Sequence, residues 1–128
     1  RRYPMTEAQE QGALFKWSMQ PNVRQLYPEL KLLHHIKNET RGGAAQVVID
    51  KKQGVKKGVP DLCLPVARGG YHGLYIEMKF GGNKPTENQL AWILGLKRNG
   101  YAVMVCYGAK EAQDAIRRYL AYGTVQYV

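Results

Sequence analysis

The chain has 128 residues, enough for a single domain spanning 1–128 whose core needs neither disulfides nor a structural metal. Lysine and arginine outnumber the acids 19 to 10, a formal charge of +9, and a domain this basic usually meets a polyanion. No run of eighteen apolar residues exists to span a membrane, and no helix sets a cationic face against a Trp/Leu face to lie on one.

The opening Arg1-Arg2-Tyr3 reads as a remnant or a truncated start, and no secretory signal is visible. The expected location is therefore cytoplasmic. The basic residues are spread along the chain from Lys51 to Arg118, unlike the compact tract of a localisation signal. Cys63 and Cys106 sit in apolar, strand-like runs without the close spacing of a zinc knuckle or redox motif, and read as buried thiols.

Thr6 to about Met19 predicts a helix. Thr6 with Gln9 makes a capping box, and Ala8, Gly12, Phe15 and Met19 form the expected apolar stripe beside Leu14 and Trp17. Pro21 limits its end. Leu30 to Ile36 reads as a short strand. Gly42-Gly43 opens a segment through Gln53 in which Val47, Val48 and Ile49 favour strand, whereas Gly54 after Lys51-Lys52 favours a helix end; helix is the reading taken. Asp61 to Val66 and Leu74 to Lys79 predict two strands joined by the turn-rich loop 67–73 as a β-hairpin.

Thr86 to about Asn99 predicts the best-defined helix, capped by Thr86 with Gln89 and stopped by Gly100, with Leu90, Ile93, Leu94 and Leu96 as its apolar face. Tyr101 to Tyr107 follows as a strand. Lys110 to Tyr122 follows as a helix with Ala112, Ala115, Ile116 and Leu120 inward, and Thr124 to Val128 as an edge strand. The order implies an α/β fold, a small mixed β-sheet flanked by helices, with no internal repeat.

Side chains alternate faces along a strand. Leu74, Ile76 and Met78 then share a core face, while Tyr75, Glu77 and Lys79 share the other. Glu77 and Lys79 are neighbours roughly 6.5–7 Å apart along the backbone. In the hairpin, Asp61 near the start of one strand lies beside the end of its partner, at Glu77 to Lys79. Two carboxylates at one spot suit Mg²⁺ or Mn²⁺, with the Met78 backbone carbonyl as a further ligand. Such a site fits phosphodiester hydrolysis, with Lys79 orienting water or stabilising developing charge. An E-x-K triplet alone is as well explained by a surface ion pair; Pro60-Asp61 upstream and the basic chain shift the balance.

Pro60-Asp61 followed by Glu77-Met78-Lys79 resembles the PD-(D/E)xK nuclease superfamily, with its restriction-endonuclease-like core. The longer string resembles the virus-type replication-repair nuclease (VRR-NUC) family, in its stand-alone phage type. That string is Gly58-Val59-Pro60-Asp61-Leu62, Gly73 to Lys79, and Pro85 with Gln89 and Trp92. Glu10-Gln11 with Leu14 to Trp17, and His35 to Glu39, extend the likeness over nearly the whole chain.

The resemblance implies Asp61 and Glu77 as metal ligands, Lys79 as the catalytic lysine, Gln89 as a glutamine near the site, and a first-helix acid as a further ligand. Glu10 is preferred for that acid, with Glu7 the alternative. It also implies a Mg²⁺- or Mn²⁺-dependent DNA endonuclease, acting on Holliday junctions or other branched DNA as a homodimer, in the host cytoplasm if phage-encoded. Where relatives often carry proline before Asn38, this chain has Lys37.

Several of these residues have bland alternatives. Gln89 serves equally as a helix cap, Glu7 as a favourable charge at a helix N-terminus, His35 as a buried partner of strand backbone, Asn38 and Glu39 as turn residues, and Trp17 and Trp92 as core. Lys56 and Lys57, just before the Pro-Asp turn, are the basic residues expected to meet phosphates. Two other readings stay open: a non-catalytic basic DNA-binding module with a relic nuclease fold, and a restriction-type sequence-specific endonuclease, for which little spare length exists.

Overall fold

The computed structural model describes residues 5–38 and 41–124. Elements run α1 (Glu7–Ser18), α2 (Pro21–Leu26), a 3₁₀ turn (Pro28–Leu32), β1 (His34–His35), α3 (Ala44–Lys52), β2 (Leu62–Leu64), β3 (Leu74–Lys79), α4 (Glu87–Arg98), β4 (Ala102–Tyr107) and α5 (Ala109–Leu120). The sheet has four strands in the order β1-β2-β3-β4. β1, β2 and β3 pair antiparallel, and β4 joins parallel to β3 after the α4 crossover. No helix among the described residues is long and apolar enough to cross a membrane.

The core lies on one face of the sheet. Leu62 and Leu64 of β2 and Leu74, Ile76 and Met78 of β3 are buried there with Leu14 and Trp17 of α1. Ala112, Ala115, Ile116 and Tyr119 of α5 complete it, spaced as one helical stripe. The small alanines let α5 lie close to the sheet. Tyr119 is fully buried, and its hydroxyl donates to the Val66 carbonyl at 2.6 Å, tying α5 to the hairpin. Arg117 stacks over the Trp17 ring at 5.2 Å, and Arg68 pairs with Glu29, joining the hairpin loop to the 3₁₀ turn. α4 covers the opposite face.

Four expectations change. Leu30 to Ile36 is not one strand. Pro28 starts a 3₁₀ turn, a position where its fixed φ suits and no N–H is needed, and only His34–His35 pairs with β2. Pro21 does end the first helix but also opens another at N1. The buried row of α1 is Leu14, Trp17 and Ser18, whereas Ala8, Gly12 and Met19 are exposed and Phe15 is half-buried. The helix turns that row toward α5. On α4, Ile93 is buried and Leu96 half-buried, but Leu90 and Leu94 stand 53% and 50% exposed.

The reading of Ala44–Lys52 as helix holds, and Val47, Val48 and Ile49 all remain exposed on it. Leu120 is half-buried, and the last helix ends there rather than at Tyr122. Thr124 is not in a strand; the rest of the expected C-terminal strand, 125–128, lies outside the described residues, as do Glu39 and Arg1 to Tyr3.

The segment leading into β2 is pinned against α4. Gly58 has φ +89, and a Cβ there would sit 2.6 Å from the Asn88 carbonyl carbon and 2.7 Å from its oxygen. Both the backbone conformation and the close approach require glycine. Gly58→Ala is expected to lower unfolding stability by about 2–3 kcal/mol. In urea titrations the midpoint should fall with the slope unchanged; a midpoint equal to that of the unsubstituted protein would show that this contact carries no weight.

Candidate active site

Buried Pro60 and the pinned Gly58 deliver Asp61 one residue before β2. Its backbone carbonyl accepts from Ile36 N at 2.7 Å and lies 3.0 Å from His35 Nδ1. Its side chain is held as firmly. Oδ2 accepts from the Met78 amide at 2.8 Å, and Oδ1 accepts from Asn38 Nδ2 at 3.3 Å. Asn38 also donates to the Val59 carbonyl at 2.6 Å, so one amide braces both the Pro60 turn and the carboxylate.

The strand register brings Glu77 to the same place. Leu62–Ile76 is the last β2–β3 pair; Asp61 and Glu77 are each the next residue outward, and the Asp61 carboxylate is held on the Met78 amide beside Glu77. Glu77 is only 1% exposed, and Lys79 follows on the same face, half-buried and in register with Tyr107 of β4. Asp61 thus lies at the end of β3 that carries Glu77 and, two residues on, Lys79.

Other expected residues are held differently. Glu10 lies beside Gly108, and its Oε2 accepts from the Ala109 amide at 3.3 Å. It caps α5, where an anion meets the positive end of the helix dipole. Glu7 is exposed in the first turn of α1. Gln89 closes a reciprocal capping box: its Oε1 accepts from Thr86 N at 2.9 Å and its amide donates to Thr86 Oγ1 at 3.2 Å. Lys56 and Lys57 are exposed on the loop before Gly58.

Asn38 was legible only as a turn residue, because its reach to Asp61 spans 23 positions of chain. His35 does meet strand backbone but is exposed rather than buried. Lys37 pairs at 3.3 Å with Asp50, the buried residue of α3, which also accepts from Gln46 at 2.7 Å. These contacts anchor α3 next to Asn38.

Among the described residues no group of three His, Cys, Asp or Glu side chains is arranged to hold a metal. The donor chemistry at this end of the sheet is two carboxylates, Asp61 just before β2 and Glu77 on β3. Ionised carboxylates near one another repel, and a hard divalent cation is the natural relief. Mg²⁺ is often taken by one or two carboxylates with its remaining positions filled by water, so the residues present fit such an ion. A place for Glu10 in that set would require its carboxylate to leave Ala109.

Next to the carboxylates, Cys63 and Tyr75 face each other in register. Burial pushes the Cys63 thiol up, opposed by its hydrogen bond with Tyr75. Burial, followed by the neighbouring Cys63, pushes the Tyr75 phenol up. Cys106, in the core, is pushed up to about 11 by burial and then by Glu111.

The VRR-NUC domain family model matches residues 5–110. A solved structure described as a VRR_NUC domain protein is 31% identical, superposes with a TM-score of 0.78, and is covered over 95% of its length by 97% of this chain. No curated protein matches the chain.

The two thiols give a direct test of the packing around this face. At about pH 8 only on the order of one part in a thousand of Cys106 is ionised. A disulfide reagent is expected to titrate neither cysteine rapidly in the folded protein and both in denaturant. Fast labelling of folded protein would contradict the packing of β2 or β4. Because unfolded Cys106 ionises near 9.0 and folded Cys106 near 11, the unfolded state loses its proton first. Unfolding free energy should therefore fall as pH rises through that window.

Proposed function

Because the chain belongs to the VRR-NUC family of nuclease-type domains acting on DNA, we propose that it is a Mg²⁺- or Mn²⁺-dependent endonuclease whose Asp61 and Glu77 hold the metal. The observation that supports this reading is the end of the β2–β3 pairing at Leu62–Ile76, with Asp61 and Glu77 each the next residue outward and the Asp61 carboxylate bonded to the Met78 amide beside Glu77.

When bound, a divalent cation supplies charge neutralisation at the phosphate and a more acidic water. The chain's own residues do the rest. Asn38 and the Met78 amide fix the Asp61 carboxylate in one orientation. The Met78 carbonyl is a candidate further ligand. Lys79, on the same strand face as Glu77, orients the attacking water and stabilises the charge developing on phosphate oxygens. Lys56 and Lys57 precede the turn that delivers Asp61 and meet flanking phosphates, which hold substrate without reading its sequence.

The preferred substrate is branched DNA, such as a four-way junction. Two symmetric cuts in a junction need two active sites, and one chain of this size carries one. A homodimer supplies the second. Sedimentation with junction present should give a dimer at micromolar concentration; monomer alone would remove that part of the proposal.

The decisive assay is cleavage of labelled four-way junction, fork, linear duplex and single strand with MgCl₂, MnCl₂ or EDTA. Cutting is expected only with metal and to be greatest on branched substrates. Glu77→Ala and Asp61→Ala should lose activity by at least about 100-fold. Cutting of a linear duplex at one defined site would point to a restriction-type enzyme. Binding without cutting under every metal would leave a DNA-binding module with a relic motif.

A further inference from the structure

The strand face that carries Glu77 and Lys79 also carries Tyr75, two residues back. Tyr75 is one wall of a groove of about 580 Å³ whose other lining includes Tyr101, Trp92 and Asn99. That volume lies within the range of ligand sites, roughly 300–1,000 Å³. Tyr75 and Tyr101 meet edge to face, ring centres 5.4 Å apart, and His72 also meets Tyr101 edge to face at 5.6 Å. The rings brace one another yet Tyr75, Tyr101 and Trp92 all stay partly exposed.

The floor of the groove is α4, along the row Ala91, Gly95 and Asn99. Gly95 is in the interior of that helix, where glycine costs about 1 kcal/mol relative to alanine. Nothing in the packing requires it, since a Cβ added there meets no atom within 4 Å. The glycine leaves the middle of the groove open. Asn99 Nδ2 donates to the Gly95 carbonyl at 2.8 Å, which holds the amide at the groove's edge with its oxygen available to a donor. Lys97 and Arg98, exposed in the last turn of α4, add positive charge nearby.

From this juxtaposition we infer that the groove between Tyr75, Tyr101 and α4 receives an unstacked nucleobase from the strand whose phosphate lies at Asp61 and Glu77. Tyr75 and Glu77 are about 6.5–7 Å apart along β3, about two of the 3.4 Å steps by which a duplex strand advances, and an unstacked, extended strand covers that span in fewer. The groove therefore stands one or two nucleotides from the phosphate. Aromatic walls stack any base, so the site is tolerant of sequence. A base paired and stacked in a duplex is not free to enter, whereas one beside a branch or in a single strand pays little to do so. The groove thereby selects for disrupted DNA structure. This inference rests on the reading of Asp61 and Glu77 as the phosphate-cleaving site.

The test separates the two. Junctions carrying 2-aminopurine at each of the three positions on either side of the cut are titrated with the protein in EDTA, so that binding is read without cleavage. One or two adjacent positions should show fluorescence quenching. Gly95→Leu, which fills the groove, should abolish that quenching and weaken binding between about 5- and 100-fold. Gly95→Ala, which leaves it open, should keep the signal and unfold at a higher denaturant concentration. Quenching that survives Gly95→Leu, or none at any position, overturns the inference whether or not the protein cuts DNA. Loss of dimer in Gly95→Leu would also overturn it, by making the groove a subunit contact. Quenching lost in Gly95→Leu, in a protein that cuts nothing with any metal, keeps the base groove and removes the nuclease reading.

Discussion

Leu62 opposite Ile76, in an antiparallel pair, is the constraint on which the rest of the site depends. That register puts Asp61 and Glu77 each one residue beyond its last pair and leaves Leu62, Leu64, Leu74 and Ile76 on the core face, against α1 and α5. A slip of one residue would turn every side chain of β2 over. The leucines would leave the core and Asp61 would lose its place beside Glu77. Core burial, worth roughly 1.5–3 kcal/mol per large apolar side chain, therefore also aligns the polar site. Nothing in the carboxylate pair has to specify its own geometry.

Polar contacts refine what the register establishes. Asp61 sits just outside β2 and would be free to swing without help. Asn38 and the Met78 amide hold its carboxylate, while Ile36 holds its carbonyl. Asn38 is held in turn near Lys37, whose partner is the buried Asp50 of α3. The segment from His35 to Asn38 thereby supports Asp61. Charge-assisted hydrogen bonds to a carboxylate are stronger than neutral ones, which suits a group that must keep one orientation.

Much of this was legible in the amino-acid sequence because it is local. Both capping boxes, the span of β3, the alternation that separates Ile76 from Glu77, and the hairpin that carries Asp61 toward Glu77 all depend on neighbours a few residues apart. What could not be read depends on distance along the chain. Glu10 as a cap for α5 joins residues 99 positions apart, and Asn38 reaches Asp61 across 23. Helix faces were misjudged where apolar residues outnumber buried places: Leu90 and Leu94 are as apolar as Ile93, yet only Ile93 is turned to the sheet. Pro21 read as a break but also acts as a helix start, because fixed φ serves both. The aromatic groove had one visible sign, Tyr75 on the face of Glu77; Trp92 and Tyr101 come to it only through the α4 crossover.

The most direct test of the central claim is anomalous diffraction from crystals of the protein soaked in Mn²⁺. One strong peak is expected between the Asp61 and Glu77 carboxylates, about 2.0–2.2 Å from an oxygen of each, and its loss in Glu77→Gln crystals that keep the same fold. A saturating soak with no peak there, or a peak elsewhere that persists in Glu77→Gln, would contradict it.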